Sequence, residues 1–296
     1  MIPPDDFLYL SKLLKEQSGL ALTADKSYLL TARLKPIIEA NELGTISALV
    51  KALKGGKKSL ADDVVDAMTT NESLFFRDRR PFDALVATML PTLHAARPRG
   101  RPIRIWCAAA STGQEPYSIA MLLEDNAATF AGRSVEIVAS DLSRAALGRA
   151  RRGEYTAFEV GRGMPKDVLQ RHFTKLPNGH HLLSDKVRNR VRFQTRNLLQ
   201  PFTDIGQVDI VFCRNVLIYF DRPTKSDVLN RIASLLAGDG YLVLGGPETT
   251  LGLTDRFARH ADGRNVYIRS DGEGAAPRPP FPLGTTRPRD MAVRTG

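Results

Sequence analysis

Several polar and charged residues in this sequence stand just after apolar runs, at spacings that suit the binding of a small charged ligand. Ile103-Arg104-Ile105-Trp106-Cys107 is one such run, and the segment after it, Ala108-Ala109-Ala110-Ser111-Thr112-Gly113, has almost no side chains. A loop of tiny residues lets another molecule approach its backbone closely. Gln114-Glu115-Pro116 then opens a helix-like stretch, with the proline in the first turn, where its missing N–H costs nothing. A carboxylate at Glu115 would repel phosphate at that helix start and attract a cation. Ser134 to Asp141 is a second apolar run that ends in an acid, which can accept hydrogen bonds from both hydroxyls of a ribose.

These features favour a ligand with a ribose, a positive centre and no phosphate. The G-x-G-x-x-G fingerprint of dinucleotide folds is missing, and Ala108, Ala109 and Ala110 weaken a pyrophosphate reading. S-adenosylmethionine carries a sulfonium and an ammonium group and fits these charges. Plainer readings stand beside this one. The loop can be a tight turn without a ligand. Asp141 can be a helix cap or a surface acid, although Ser143 is available to cap instead.

The elements that must hold these residues follow from periodicity. Residues 5 to about 80 show helical spacing only, from Phe7 to Leu14, Tyr28 to Lys35, Ile46 to Leu53 and Leu60 to Met68. Gly19 is a plausible stop for the first, and Pro36 and Gly44 suggest a kink and a stop in the second. Beyond them, strand-like runs alternate with helices. The strands are 103–107, 134–141, 191–195, 208–213 and 241–245, with 264–268 as a closing edge strand. Such alternation predicts a mostly parallel sheet with helices on both faces and all strand C-terminal ends on one edge, where ligands bind. The stretch between Gly153 and Asp185 is broken by Gly and Pro and reads as a small excursion.

The 296 residues, 43% of them hydrophobic, are ample for a sizeable core. The first residues lack the pattern of a signal peptide, and no apolar run is long enough to span a membrane. Two distant cysteines in apolar surroundings and five scattered histidines argue against a disulfide framework or a metal site and fit a reducing cytoplasm. Cys107 and Cys213 end strands that could be neighbours, which leaves a stress-induced disulfide open. The net charge of +10 points to an acidic or polyanionic partner, or to an ordinary solvated basic surface.

Five segments together resemble the CheR family of bacterial chemotaxis receptor methyltransferases. They are Thr69-Thr70-Asn71-Glu72-Ser73-Leu74-Phe75-Phe76-Arg77, Trp106 to Ala120, Ser140-Asp141-Leu142-Ser143, Asn197-Leu198 and Cys213-Arg214-Asn215-Val216-Leu217-Ile218-Tyr219-Phe220. The resemblance runs from about residue 5 to about 270. It implies an α/β class I methyltransferase fold, Rossmann-like and mostly parallel, with an inserted small β-subdomain and an all-α N-terminal domain. The corresponding division is 1–85 for the helical domain and linker and 86–270 for the methyltransferase domain. The insertion is expected near 160–190, and the Pro-, Gly- and Arg-rich composition of 271–296 predicts a disordered tail.

The resemblance also implies transfer of a methyl group from S-adenosylmethionine to chemoreceptor glutamates, leaving S-adenosylhomocysteine, with no metal. Asn71, Ser73, Arg77, Glu115, Asp141, Asn197, Leu198, Asn215 and Val216 should then contact the cofactor. The family usually has Thr at the place of Ser73, and some members have Glu at that of Gln114. Arg77 is the candidate for gripping a carboxylate, unless it makes a surface ion pair with Asp78 or Glu72. Tyr219 is expected to line the transfer site, unless it is a packed aromatic. A basic helix face with Arg33 and Lys35 would complement Glu-rich receptor helices, or be simply solvated. The turn Thr174 to His180 looks short for docking a tethering peptide. The expected partner is the cytoplasmic domain of chemoreceptors, bound by a cytoplasmic monomer recruited to membrane receptor arrays, with no nucleic acid and no membrane insertion. A nucleic-acid methyltransferase and a non-catalytic S-adenosylmethionine-binding signalling module are the alternatives.

Overall fold

The computed structural model describes residues 2–261 and 265–271. Four helices come first: α1 (Pro4–Ser18), α2 (Ser27–Ala40), α3 (Ile46–Lys54) and α4 (Lys58–Met68). Their buried residues recur at helical spacing: Leu10 and Leu14, then Leu30, Leu34 and Ile38, then Leu60, Val64 and Met68. They close on one another in a core of their own. Helix α2 runs through Pro36 to Ala40. Gly19 ends α1 in the left-handed region, at φ 79°.

Residues 69–79 form a linker without helix or strand. Two buried phenylalanines pin it. Phe75 meets Tyr155 and Phe173 edge-on, and the Phe76 N–H donates to Ser118 Oγ at 2.9 Å. Helix α5 (Arg80–Ala84) continues through a π-helical stretch (Leu85–Met89) into α6 (Leu90–Ala96).

The sheet then builds as β1 (Ile103–Ala108), α7 (Gln114–Asp125), β2 (Val135–Asp141) and α8 (Arg144–Arg152). An excursion follows: β3 (Glu154–Tyr155), α9 (Ala157–Gly161), α10 (Lys166–His172), β4 (Phe173–Lys175), β5 (His181–Leu183) and α11 (Asp185–Arg188). The chain returns through β6 (Val191–Thr195), β7 (Val208–Cys213), a 3₁₀ turn (Leu217–Tyr219), α12 (Arg222–Leu235), β8 (Leu236–Leu244), β9 (Phe257–Arg259) and β10 (Val266–Arg269). Seven strands lie in the order β6-β2-β1-β7-β8-β10-β9, and β3-β5-β4 make a separate antiparallel sheet. The first five strands of the large sheet run parallel; β10 and β9 are antiparallel to their neighbours. Alternate residues feed two cores, one with Ile105, Cys107, Tyr117 and Phe82, the other with Trp106, Ala108, Cys213 and α12.

Two details differ from the sequence reading. The strand expected to close the sheet, β10, is covered by β9, whose three residues are too few to show alternation. Its expected first residue, Arg264, and residues 272–296, expected as a disordered tail, lie outside the described residues. The two cysteines do end neighbouring strands, but Cys213 pairs with Ala108 and Cys107 with Phe212. Their side chains therefore point to opposite faces, and no disulfide can join them without a register slip. Among the described residues no helix is long and apolar enough to cross a membrane.

Candidate functional site

The C-terminal ends of β1, β2, β6 and β7 open into one cleft, whose space, with its solvent-open mouth included, amounts to ≈ 1020 Å³. The parallel strands supply its floor. The linker 69–77 forms one wall, and Ser18, Leu20 and Met68 of the helical domain complete it. Asn71, Ser73, Arg77, Glu115, Asp141, Asn197, Leu198, Asn215, Val216 and Tyr219 all line this cleft. Arg33 and Lys35 do not.

The loop after β1 is wound tightly. Ala109 and Ser111 take left-handed conformations, at φ 59° and 52°, and Gly113 follows at φ 94°. At Gly113 the turn has no space for a side chain, since a Cβ would come 2.9 Å from that of Ala150 and 3.1 Å from the Tyr155 hydroxyl. Tyr155 holds the loop from outside by donating its hydroxyl to the Thr112 carbonyl at 2.7 Å. On the inside, Asp141 accepts the Ser111 N–H at 2.7 Å and the Ser143 N–H at 2.9 Å, one on each carboxylate oxygen. Ser143 itself caps α8 by accepting the Ala146 N–H, so Asp141 is not the cap. Burial pushes the Asp141 carboxyl up from its ordinary value, against the pull of those two N–H donors.

Glu115 has a partner that the sequence does not announce. One of its carboxylate oxygens accepts a hydrogen bond from Arg214 Nη1 at 2.8 Å, and the residue lines the cleft. The same guanidinium reaches Asp78 at 2.7 Å and the Arg77 carbonyl at 2.9 Å through Nη2. Burial still pushes the Glu115 carboxyl up, with Arg214 opposing it. The two carboxylates of the alternative surface pair for Arg77 are engaged elsewhere, Asp78 with Arg214 and Glu72 with Arg162. The Arg77 guanidinium makes no ion pair or hydrogen bond among the described residues, and it lines the cleft.

The remaining positions divide by what their side chains already do. Asn71 donates its amide to Thr69 Oγ1, and its carbonyl accepts the Ser111 hydroxyl at 2.9 Å, which joins linker to loop. Asn197 donates to the Gln17 carbonyl at 2.6 Å and accepts the Leu199 N–H, so its amide ties the helical domain to the end of β6. Asn215 sits at φ 59°. Its backbone N–H and that of Val216 both donate to Glu248, at 2.8 and 3.0 Å, and Glu248 also takes the Gly245 N–H at 2.7 Å. Tyr219 lies in the 3₁₀ turn, half-buried, and its carbonyl accepts the Ala21 N–H. Arg33 is turned toward the linker, donating to the Met68 and Thr69 carbonyls at 2.7 and 3.2 Å and to Thr70 Oγ1 at 3.1 Å. Lys35 is exposed, 3.8 Å from Glu39.

Arg214 and Glu248 escaped sequence reasoning. Arg214 stands beside Asn215, inside a segment already singled out, yet nothing local marks its partners, which lie near residues 78 and 115. Glu248 follows β8 in an ordinary turn, and its work is done on the loop after β7.

Residues 71–265 match the family model described as CheR methyltransferase, SAM binding domain, and residues 5–69 match CheR methyltransferase, all-alpha domain. The chain is 40% identical over 255 residues to chemotaxis protein methyltransferase 1 of Pseudomonas aeruginosa, covering 85% of this chain and 93% of that one. It is also 40% identical over 259 residues to the chemotaxis protein methyltransferase of Vibrio parahaemolyticus, covering 86% and 93%. Against the chemotaxis protein methyltransferase of Salmonella typhimurium the identity is 34% over 269 residues, covering 89% and 90%.

Proposed function

This chain belongs to the CheR methyltransferase family, and from that premise we propose that it methylates glutamate side chains of chemoreceptors with S-adenosylmethionine. The observation that carries the proposal is the gathering of Arg77, Glu115, Asp141 and Tyr219, from four separate segments, around one cleft. Bound there, S-adenosylmethionine supplies a methyl group on a sulfonium centre that an anionic oxygen can accept.

The residues fit such a ligand. Each Asp141 oxygen accepts one backbone N–H and keeps a further lone pair, enough for the two hydroxyls of a ribose. The side chains of Leu142, Leu198 and Val216 offer an apolar seat for a base. Glu115 supplies negative charge for an ammonium group, and Arg77 supplies an unengaged planar fork suited to a carboxylate. A glutamate substrate, with an ordinary pKa of about 4.3, is ionised at neutral pH and needs no general base. The protein's work is then to orient the reactants and exclude water, with Tyr219 at the rim and the helical domain overhead.

The enzyme is proposed to act as a cytoplasmic monomer recruited to receptor arrays. The hairpin between β4 and β5 is closed tightly, by a Leu176 N–H to His180 carbonyl bond at 2.8 Å, which supports action without a tethering peptide. The test is incubation of the protein with methyl-labelled S-adenosylmethionine and receptor-containing membranes, RNA, or neither. Base-labile label on membrane protein is expected. Label on RNA, or binding of the ligand without transfer to any acceptor, would replace this reading with one of its alternatives.

A further inference from the structure

Arg214 follows β7 with its side chain only 2% exposed, between two carboxylates. Nη1 serves Glu115, Nη2 serves Asp78 and the Arg77 carbonyl, and the guanidinium carbon lies 5.7 Å from the centre of the Phe82 ring. One fork thus joins the end of β7, the first turn of α7 and the linker. The linker needs such a hold. Phe76, Asp78 and Arg79 have φ of 51°, 64° and 34°, conformations that non-glycine residues keep only when their surroundings impose them. We infer that Arg214 is a positioning residue for methyl transfer: it keeps Glu115 charged at the cleft wall and, through the Arg77 carbonyl and Asp78, fixes where the Arg77 guanidinium stands. The inference rests on the S-adenosylmethionine reading of the cleft.

The surroundings of Glu115 make Arg214 its principal counter-charge. Glu115 faces Arg214 at the end of β7, Arg77 on the linker, Glu248 beyond β8, and the thiols of Cys107 on β1 and Cys213 on β7. Burial holds both thiols neutral, and Glu248 adds to the cost of a second negative charge. Of these groups, Arg214 is the one hydrogen-bonded to the Glu115 side chain. A lysine could keep the charge but not the fork, because a single ammonium is a point donor.

The test uses Arg214→Gln, Arg214→Lys and the double variant Arg214→Gln/Glu115→Gln. S-adenosylhomocysteine binding is measured by calorimetry from about pH 6 to about pH 7.5, and initial rates are taken on receptor membranes. Wild-type affinity should be flat across that window. In Arg214→Gln one proton must leave Glu115 before the ligand binds well, so affinity should rise with pH by about threefold or more across the window, bounded by about tenfold per pH unit. The double variant should be flat again. Arg214→Lys should keep a pH-flat affinity but lose about tenfold or more in kcat, because Arg77 is no longer fixed. A purely structural arginine would shift affinity equally at every pH. A flat profile in Arg214→Gln, a slope that survives Glu115→Gln, or normal kcat in Arg214→Lys would each overturn the inference. If Arg214→Gln does not fold, the kcat of Arg214→Lys decides. Wild-type protein that fails to bind S-adenosylhomocysteine would overturn the cleft reading instead.

Discussion

Asp141 and Glu115 are both buried carboxylates with raised pKa values, but they are held differently, Asp141 by backbone N–H groups and Glu115 by a guanidinium. The sign of the pH effect follows. A carboxyl with a folded pKa above its unfolded value binds its proton more tightly in the folded chain. Its contribution to stability is full below the unfolded pKa, about 4, and is lost as pH rises through the folded value. A ligand that needs both groups ionised works against that preference at low pH and not at neutral pH. The rise in melting temperature caused by saturating S-adenosylhomocysteine should therefore be larger at about pH 7 than at about pH 5. Thermal melts at the two pH values check this, and an equal rise would mean that neither carboxylate changes charge on binding.

Among the elements, α1 does more than complete a helical bundle. Its end and the residues just after it reach across to the segments that follow β6 and β7 by three contacts: Lys15 with Asp221 at 2.7 Å, the Gln17 carbonyl with Asn197, and the Ala21 N–H with the Tyr219 carbonyl. Gly19 sits between them. Its φ of 79° is unfavourable for other residues, and a Cβ there would come 2.9 Å from the Phe220 ring and 3.2 Å from Leu199. Gly19→Val should cost about 1–2 kcal/mol from the backbone alone, plus the clash, and should weaken ligand binding by moving α1 off the cleft. Lys15→Ala removes only a half-exposed ion pair, worth at most about 1 kcal/mol, and should leave affinity nearly unchanged. Melting curves and binding of the two variants side by side test whether the glycine contact or the ion pair holds the domains in register.

At the scale of the whole molecule, the charge of +10 bears on encounter with an acidic partner. Steering of this kind is screened over about 10 Å at 0.1 M salt, so receptor methylation measured as kcat/KM should fall with added salt, more steeply than affinity for the smaller ligand. The two basic residues of α2 separate under this test. Lys35→Glu should lower kcat/KM for the receptor and leave S-adenosylhomocysteine affinity intact. Arg33→Glu should lower both, because Arg33 holds Met68, Thr69 and Thr70, which line the cleft. Unchanged ligand affinity in Arg33→Glu would show that the linker keeps its place without that arginine.

Much of this architecture could be read from the sequence, because backbone geometry imposes its period locally. Strands alternate every two residues and helices every 3.6, and right-handed crossovers bring the strand ends to one edge. That logic reached the tiny-residue loop with Glu115, and Asp141, Asn197 and Asn215, from the chain alone; Arg77 came through resemblance. What the sequence could not settle was partnership. The bond from Arg214 to Glu115 spans 99 positions, and the one from Arg33 to Met68 spans 35. Neither leaves a local mark, and β9 is too short to leave one. Only tertiary packing decided that Glu115 is already paired, that the cysteines face opposite sides of the sheet, and that the helical domain completes the cleft wall. These follow from which distant surfaces meet, a choice made by the folded chain as a whole.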